Sequence, residues 1–196
     1  MPRTKSFDEE KALESAMLLF WQRGYSATSM KALEQAMGLK PTSIYNAFGS
    51  KRDLFEKSLN LYLQTALAGF IKSVLDAKSA KDALKGVLEG VIHLHFNKSH
   101  PGGCMVVLSL LESEQHDAKT KKILDSALFR LRDTIISRLE EAQKTGEIKS
   151  DTDCQVVANH VTALITGMIS MAKADFSKRD LKLLINSSLA VLIQQY

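Results

Sequence analysis

Within the stretch SMKALEQAMGLKPTSIYNAF, residues 29–48, small polar and aromatic side chains alternate with apolar ones at a spacing that suits contact with nucleic acid. Ile44 and Phe48 are four apart, so on a helix they share one face and point to a core. Thr42, Ser43, Tyr45 and Asn46 are then left outward, a face free of Lys and Glu that can approach base edges closely. Thr42 and Asn46 are the candidates for base readout, Asn46 with two hydrogen bonds for adenine, and the ring of Pro41 suits a thymine methyl. Ser29 at a helix start, Lys40 at a turn, the Tyr45 hydroxyl and Lys51 at the next helix start suit phosphates, which fix register rather than sequence.

A second run with chemistry in it is His100-Pro101-Gly102-Gly103-Cys104-Met105. It places a thiol at or near a helix amino terminus beside a glycine pair, a setting that favours the thiolate. Cys104 is therefore a candidate sensor of oxidants or electrophiles, weighed against a small buried residue at a helix start. With Cys154 it makes only two cysteines, too few for a disulfide framework. The five histidines include no pair at the four-residue spacing of helical zinc sites, so no metal is expected. GxSxG, HExxH, P-loop and dinucleotide-glycine patterns are all missing; no enzyme, catalytic residue or cofactor is expected.

Holding such groups in place requires helices. Prolines fall only at Pro2, Pro41 and Pro101, and between them apolar residues recur every three or four positions. The spacing predicts an all-α chain of nine helices, over 8–24, 30–37, 41–47, 50 through 75, 79–96, 102–113, 117–145, 151–174 and 177–195. Acids at Asp8, Glu9 and Glu10 open the first and Gly24 closes it. Ser29 caps the second, Gly38 stops it, and Pro41 starts the third. Ser50 with Asp53 three residues on opens the long fourth.

At 196 residues the chain can bury a proper core without disulfides or metal. The expected division is a head at 1–50 that carries the nucleic-acid motif and a helical body at 51–196. Net charge is +4, with nine Lys plus Arg against seven acids in residues 1–57, so binding must rely on local placement rather than a large positive field. The start MPRTKSFDEE lacks a secretory apolar stretch, and a cytoplasmic address is expected. Residues 154–172 are uncharged, but Gln155, Asn159, His160, Thr162, Thr166 and Ser170 make them read as a buried or interface helix, with no membrane partner.

From about Phe7 to Phe55 the chain resembles the DNA-binding head of the TetR (tetracycline-repressor) family of bacterial transcriptional regulators, and GLKPTSIYNAFGSKRDLF is similar to that family's signature. The resemblance implies nine helices, a homodimer on a palindromic double-stranded operator, and a body that releases DNA, as in a repressor, when a small-molecule effector tilts the helix beginning near Ser50. Ser29, Lys40, Thr42, Tyr45 and Lys51 match the family's usual backbone and base contacts; Asn46 stands where an aromatic residue or His is often found.

Two further expectations concern the body. Val157, Val161, Leu164, Ile165 and Met168 lie on one helical face, and Leu181, Leu184, Ile185, Leu189 and Leu192 repeat at near-heptad spacing. Paired across a two-fold axis, these stripes would make a four-helix dimer interface. An effector pocket for an apolar or aromatic compound would lie beside the long helix, lined by Leu63, Leu67, Phe70, His93, Phe96, Cys104, Met105, Leu108, Leu128, Phe129 and Met168. The alternatives are a redox or electrophile sensor of the same family acting through Cys104, and, more remotely, a helical enzyme or a non-sensing DNA binder.

Overall fold

Side-chain caps mark the helix starts that the sequence announces. Asp8 accepts from the amides of Glu10 and Lys11, Ser29 from Ala32, Ser79 from Asp82, Asp117 from Thr120, and Asp153 from Gln155 and Val156. Ser50 and Asp53 form a reciprocal capping box. In the computed structural model, residues 7–195 are described, with side chains to Leu192. The elements are α1 (Glu9–Ala27), α2 (Met30–Met37), α3 (Pro41–Phe48), α4 (Lys51–Tyr62), a π-helical turn (Leu63–Leu67) and α5 (Ala68–Leu75). There follow α6 (Ala80–Phe96), α7 (Met105–Leu110), a 3-10 turn (Ser113–Gln115), α8 (Ala118–Lys144), α9 (Cys154–Lys173) and α10 (Lys178–Gln195). Since α4, the π turn and α5 run on as one rod, nine helices stand among the described residues, in the expected order.

Two glycine sites reshape the expected ends. Gly24, at φ 79° and ψ 171°, kinks α1 rather than ending it. Gly102 and Gly103 take φ of 81° and 77°, so α7 starts only at Met105 and spans six residues.

Two apolar clusters hold the chain. In the head, Phe20, Trp21, Leu33, Ile44, Phe48, Leu54, Phe55, Leu59 and Tyr62 pack together, and the same cluster continues into Met105 and Val106 of α7 and Leu124 of α8. The body cluster gathers Val87 and Leu88 of α6 with Ile135 of α8 and the inner faces of α9 and α10. By length and composition α9 is apolar enough to cross a membrane, the one such helix among the described residues. One side of it packs on α6, α8 and α10.

This packing corrects the expected dimer stripe. Val157, Val161, Ile165, Met168, Leu181, Ile185, Leu189 and Leu192 are all buried within the single chain. Their stripe is taken up by α6 and by the partner helix, since α9 and α10 both lie on α6. Only Leu164 and Leu184 of the expected set stay part-exposed. They border a face with His160, Ala163, Gly167, Met171, Ser187, Ser188 and Val191.

The expected effector pocket is corrected as well. His93, Phe96 and Phe129 are exposed on outer helix faces, while Met105 and Met168 are fully buried in packed core. Leu63, Leu108 and Leu128 are part-buried. Leu67, Phe70 and Cys104 do meet, around a void of about 20 Å3. That is water-sized, because tight apolar packing closes the gap that spacing alone left open.

Candidate nucleic-acid interface

Helix α2 ends at Gly38, whose φ of 63° and ψ of 27° turn the chain in the left-handed region, and the Leu39 amide donates to the Glu34 carbonyl at 3.2 Å. The turn lays α3 across α2 with Leu33 and Ile44 fully buried between them. Pro41 occupies the first turn of α3, and Lys40 before it makes no side-chain cap, so the Lys40 ammonium stays exposed at this helix start. Pro41, Thr42 and Asn46 are exposed, and Tyr45 is 50% exposed. Ser43 is half-buried, its amide donating to the Lys40 carbonyl at 2.9 Å. The outward face is thus Pro41, Thr42, Tyr45 and Asn46, with Ser43 at its edge.

The flanking groups divide by role. Ser29 Oγ accepts the Ala32 amide at 3.2 Å, leaving its hydroxyl hydrogen free to donate outward. The Asp53 carboxylate accepts from the Ser50 amide at 2.8 Å and the Ser50 hydroxyl at 2.6 Å, bonds that hold its pKa below the ordinary value. Lys51 turns toward α1: its Nζ lies 4.4 Å from the centre of the Tyr25 ring, and partial burial lowers its pKa against the opposing pull of Glu112.

Sequence reading missed the residues that brace this head. Lys57 Nζ donates to the Phe48 carbonyl at 3.0 Å and the Ala47 carbonyl at 3.5 Å, capping the carboxyl end of α3 from a different helix. Arg52 pairs with Asp117 at 2.8 Å, and the Thr120 amide, followed by Arg52, holds that carboxyl well below the usual range. Buried Glu56 takes Lys119 at 2.5 Å and the Thr120 hydroxyl at 3.2 Å. The Arg52 and Glu56 contacts tie α4 to the start of α8. No local pattern could announce them, because the partners are 63 to 65 positions apart in sequence, as Arg52–Asp117 and Glu56–Thr120 illustrate.

Cys104 precedes α7, half-buried, and the Tyr62 hydroxyl donates to its Sγ at 3.4 Å. Burial and the neighbouring thiol raise the Tyr62 pKa. His100 stacks on Trp21 at 5.4 Å between ring centres. Among the described residues, no three His, Cys, Asp or Glu side chains gather as a metal site would need.

Comparison with known proteins agrees with this geometry. Residues 12–57 match the family profile described as bacterial regulatory proteins, tetR family, and residues 68–187 match the tetracyclin repressor-like C-terminal domain. The chain is 29% identical over 188 residues to the HTH-type transcriptional repressor ComR of Escherichia coli strain K12, covering 95% of this chain and 90% of that one. To the uncharacterized HTH-type transcriptional regulator YezE of Bacillus subtilis strain 168 it is 26% identical over 193 residues, 98% of this chain and 100% of the other. Among solved structures, a cysteine mutant of the transcriptional regulator CifR complexed with a 26-bp double-strand operator superposes with a TM-score of 0.86 at 30% identity, covering 97% of this chain and 98% of that one.

Proposed function

Since the chain belongs to the TetR family of bacterial transcriptional regulators, a family of DNA-binding proteins rather than enzymes, we propose that it is a cytoplasmic repressor that reads a palindromic operator as a homodimer. The observation that carries this reading is the exposed face of α3, where Thr42, Tyr45 and Asn46 stand outward over a fully buried Ile44. Thr42, Asn46 and Pro41 contact bases, while Lys40, Tyr45, Ser29 and the start of α4 at Lys51 hold phosphates. Residues 1–50 form the reading head, and 51–196 dimerise and sense. The dimer face is the outer side of α9 and α10, around Leu164, Gly167, Leu184 and Val191, rather than the stripe buried in the monomer. A small-molecule effector releases DNA by binding one spacing of the two heads better than the other.

Selection from a random pool of DNA duplexes with the purified protein tests this. Recovery of an inverted repeat, half-sites about one helical turn or a multiple apart, is the expected result. A pool without enrichment would overturn the proposal.

The contact between Tyr62 and Cys104 favours a second reading, in which oxidation or alkylation of Cys104 is the releasing signal, because the modified sulfur would push on α4, the helix that begins at Lys51. Operator release by a mild oxidant that persists in Cys104→Ser would overturn it.

A further inference from the structure

A cleft of about 480 Å3 opens on the side of the molecule where α1 passes the π turn, lined by Glu10, Glu14, Trp21, Tyr62, Thr65 and His100 among others. Its volume is within the range of small-molecule pockets, whereas the void at Cys104 holds no more than a water. The cleft joins three parts: the head through α1, the long rod through Tyr62 and Thr65, and the loop before α7 through His100. Helix α1 presents Glu10, Glu14, Leu18 and Trp21 at successive turns of one side, so two carboxylates stand at one end and an indole at the other.

The inner end is aromatic and already ordered. Trp21 donates its indole hydrogen to the Gly103 carbonyl at 3.1 Å and meets Tyr62 edge-on at 4.9 Å. Its face carries the His100 imidazole, stacked at 5.4 Å and 24°. His100 belongs to an exposed loop, so a flat ring held from the surface covers the indole where a ligand ring would lie. At the outer end Glu10 and Glu14 are ion-paired with no described residue, while Lys11 beside them is directed to Asp8 at 3.7 Å. Lys98 of the same loop lines an adjoining cleft with Ser15, Leu18 and Gln22 instead.

We propose that this cleft is the effector site and that it takes an organic cation bearing a flat ring, the ring replacing His100 on Trp21 and the positive charge resting between Glu10 and Glu14. The inference rests on the effector-responsive reading above and names the site and the chemical class. The π turn gives the binding event a route to the DNA-reading head. A five-residue π turn holds an extra residue within an α-helical rod, and Thr65 of that turn is a wall of the cleft. A ligand wedged between α1 and the turn therefore favours one setting of α4 against the body.

Trp21 is the single tryptophan of the chain, so its fluorescence reads the cleft directly, without DNA. Because Glu10 and Glu14 lie seven to eleven residues before Trp21 on α1, roughly 10 Å or more along its axis, the full chain is titrated with 6-phenylhexyltrimethylammonium, whose chain spans that gap, and, in parallel, with the anion 6-phenylhexanesulfonate. Saturable change in Trp21 emission with the cation only is expected. Glu10→Gln with Glu14→Gln should weaken it about fivefold, the scale of two part-screened charge contacts. His100→Ala should bind the cation more tightly, because the competing ring is gone; a merely structural histidine would give the opposite. Equal response to cation and anion, or the same affinity in the glutamine double variant, overturns the site. Binding of the cation without change in operator affinity overturns its role as effector site. Operator binding that survives alongside a flat Trp21 titration removes the cleft and leaves the regulator, so the two failures are distinguishable.

Discussion

The carboxylate of Glu112 accepts the amide hydrogen of Tyr25 at 2.8 Å, joining the head to a residue 87 positions further along the chain. It fills the space left by Gly24: a Cβ there would come within 2.5 Å of Glu112 Oε1. The next residue's ring lies under Lys51, so body, kink and the lysine that opens α4 are in series. Glu112→Ala leaves a part-buried amide unpaired and should lower stability by about 1 kcal/mol. Gly24→Ala, at φ 79°, adds backbone strain to the clash, of order 1–3 kcal/mol. In the double variant the clash vanishes, so the two losses should sum to less than expected, with only the strain and the lost bond remaining. Urea unfolding of the four proteins checks this.

The face of α3 makes a prediction about selectivity. Lys40→Ala and Tyr45→Phe remove the groups proposed to hold phosphates and should weaken binding to all duplexes alike, Lys40→Ala also reducing the salt dependence by about one ion. Asn46→Ala and Thr42→Ala should instead relax the preference at particular base pairs, about 1–3 kcal/mol each. Binding of each variant to the selected operator and its single-base variants separates the two classes; a uniform loss across all four would show the assignment to be wrong.

Acid should loosen the same seam. His116 is buried, stacked on Phe55 at 5.1 Å and beside Tyr25, and its Nε2 has no hydrogen-bond partner among the described residues. Burial lowers its pKa, more than Glu112 and Asp117 raise it, and Arg52 lowers it further. The folded state thus prefers the neutral ring. The stability it contributes is complete above about pH 6.5, the pKa of a free histidine, and is lost as pH falls below that toward the lowered folded value. His95, also lowered by burial, adds in the same window. Melting temperature between pH 7 and pH 5 should therefore fall less steeply in His116→Phe than in the parent, whatever its absolute value.

How much of this the sequence disclosed depends on the range of the interaction. Caps act over three residues, so Ser29 and Ser50 were visible as letters and the helix order followed, whereas the helix expected from 151 starts only at Cys154, with Asp153 as its cap. The outward set on α3 was legible for the same reason: Ile44 and Phe48 fix its rotation. Lys57, Arg52 and Glu56 were not, because what they hold lies on other helices. Periodicity also misled. A stripe such as Val157 to Met168 shows that one face is buried but not against what, and here α6 takes it within the chain.

That correction sets the last prediction. If the monomer core owns the inner faces of α9 and α10, the proposed dimer must use the outer ones, where Leu164 and Leu184 border the small residues Ala163, Gly167, Ser187 and Ser188. Small residues let two helices approach closely, so a long charged side chain there blocks assembly without entering the fold. Gly167 has nothing within 4 Å of where a Cβ would stand, so Gly167→Glu is accommodated in the monomer. Its helicity and urea midpoint should stay near those of a folded monomer, while sedimentation gives half the parental mass. Operator affinity should drop by orders of magnitude, because each head then binds its half-site alone and the gain from linked binding is lost. A Gly167→Glu protein that remains dimeric would place the interface elsewhere.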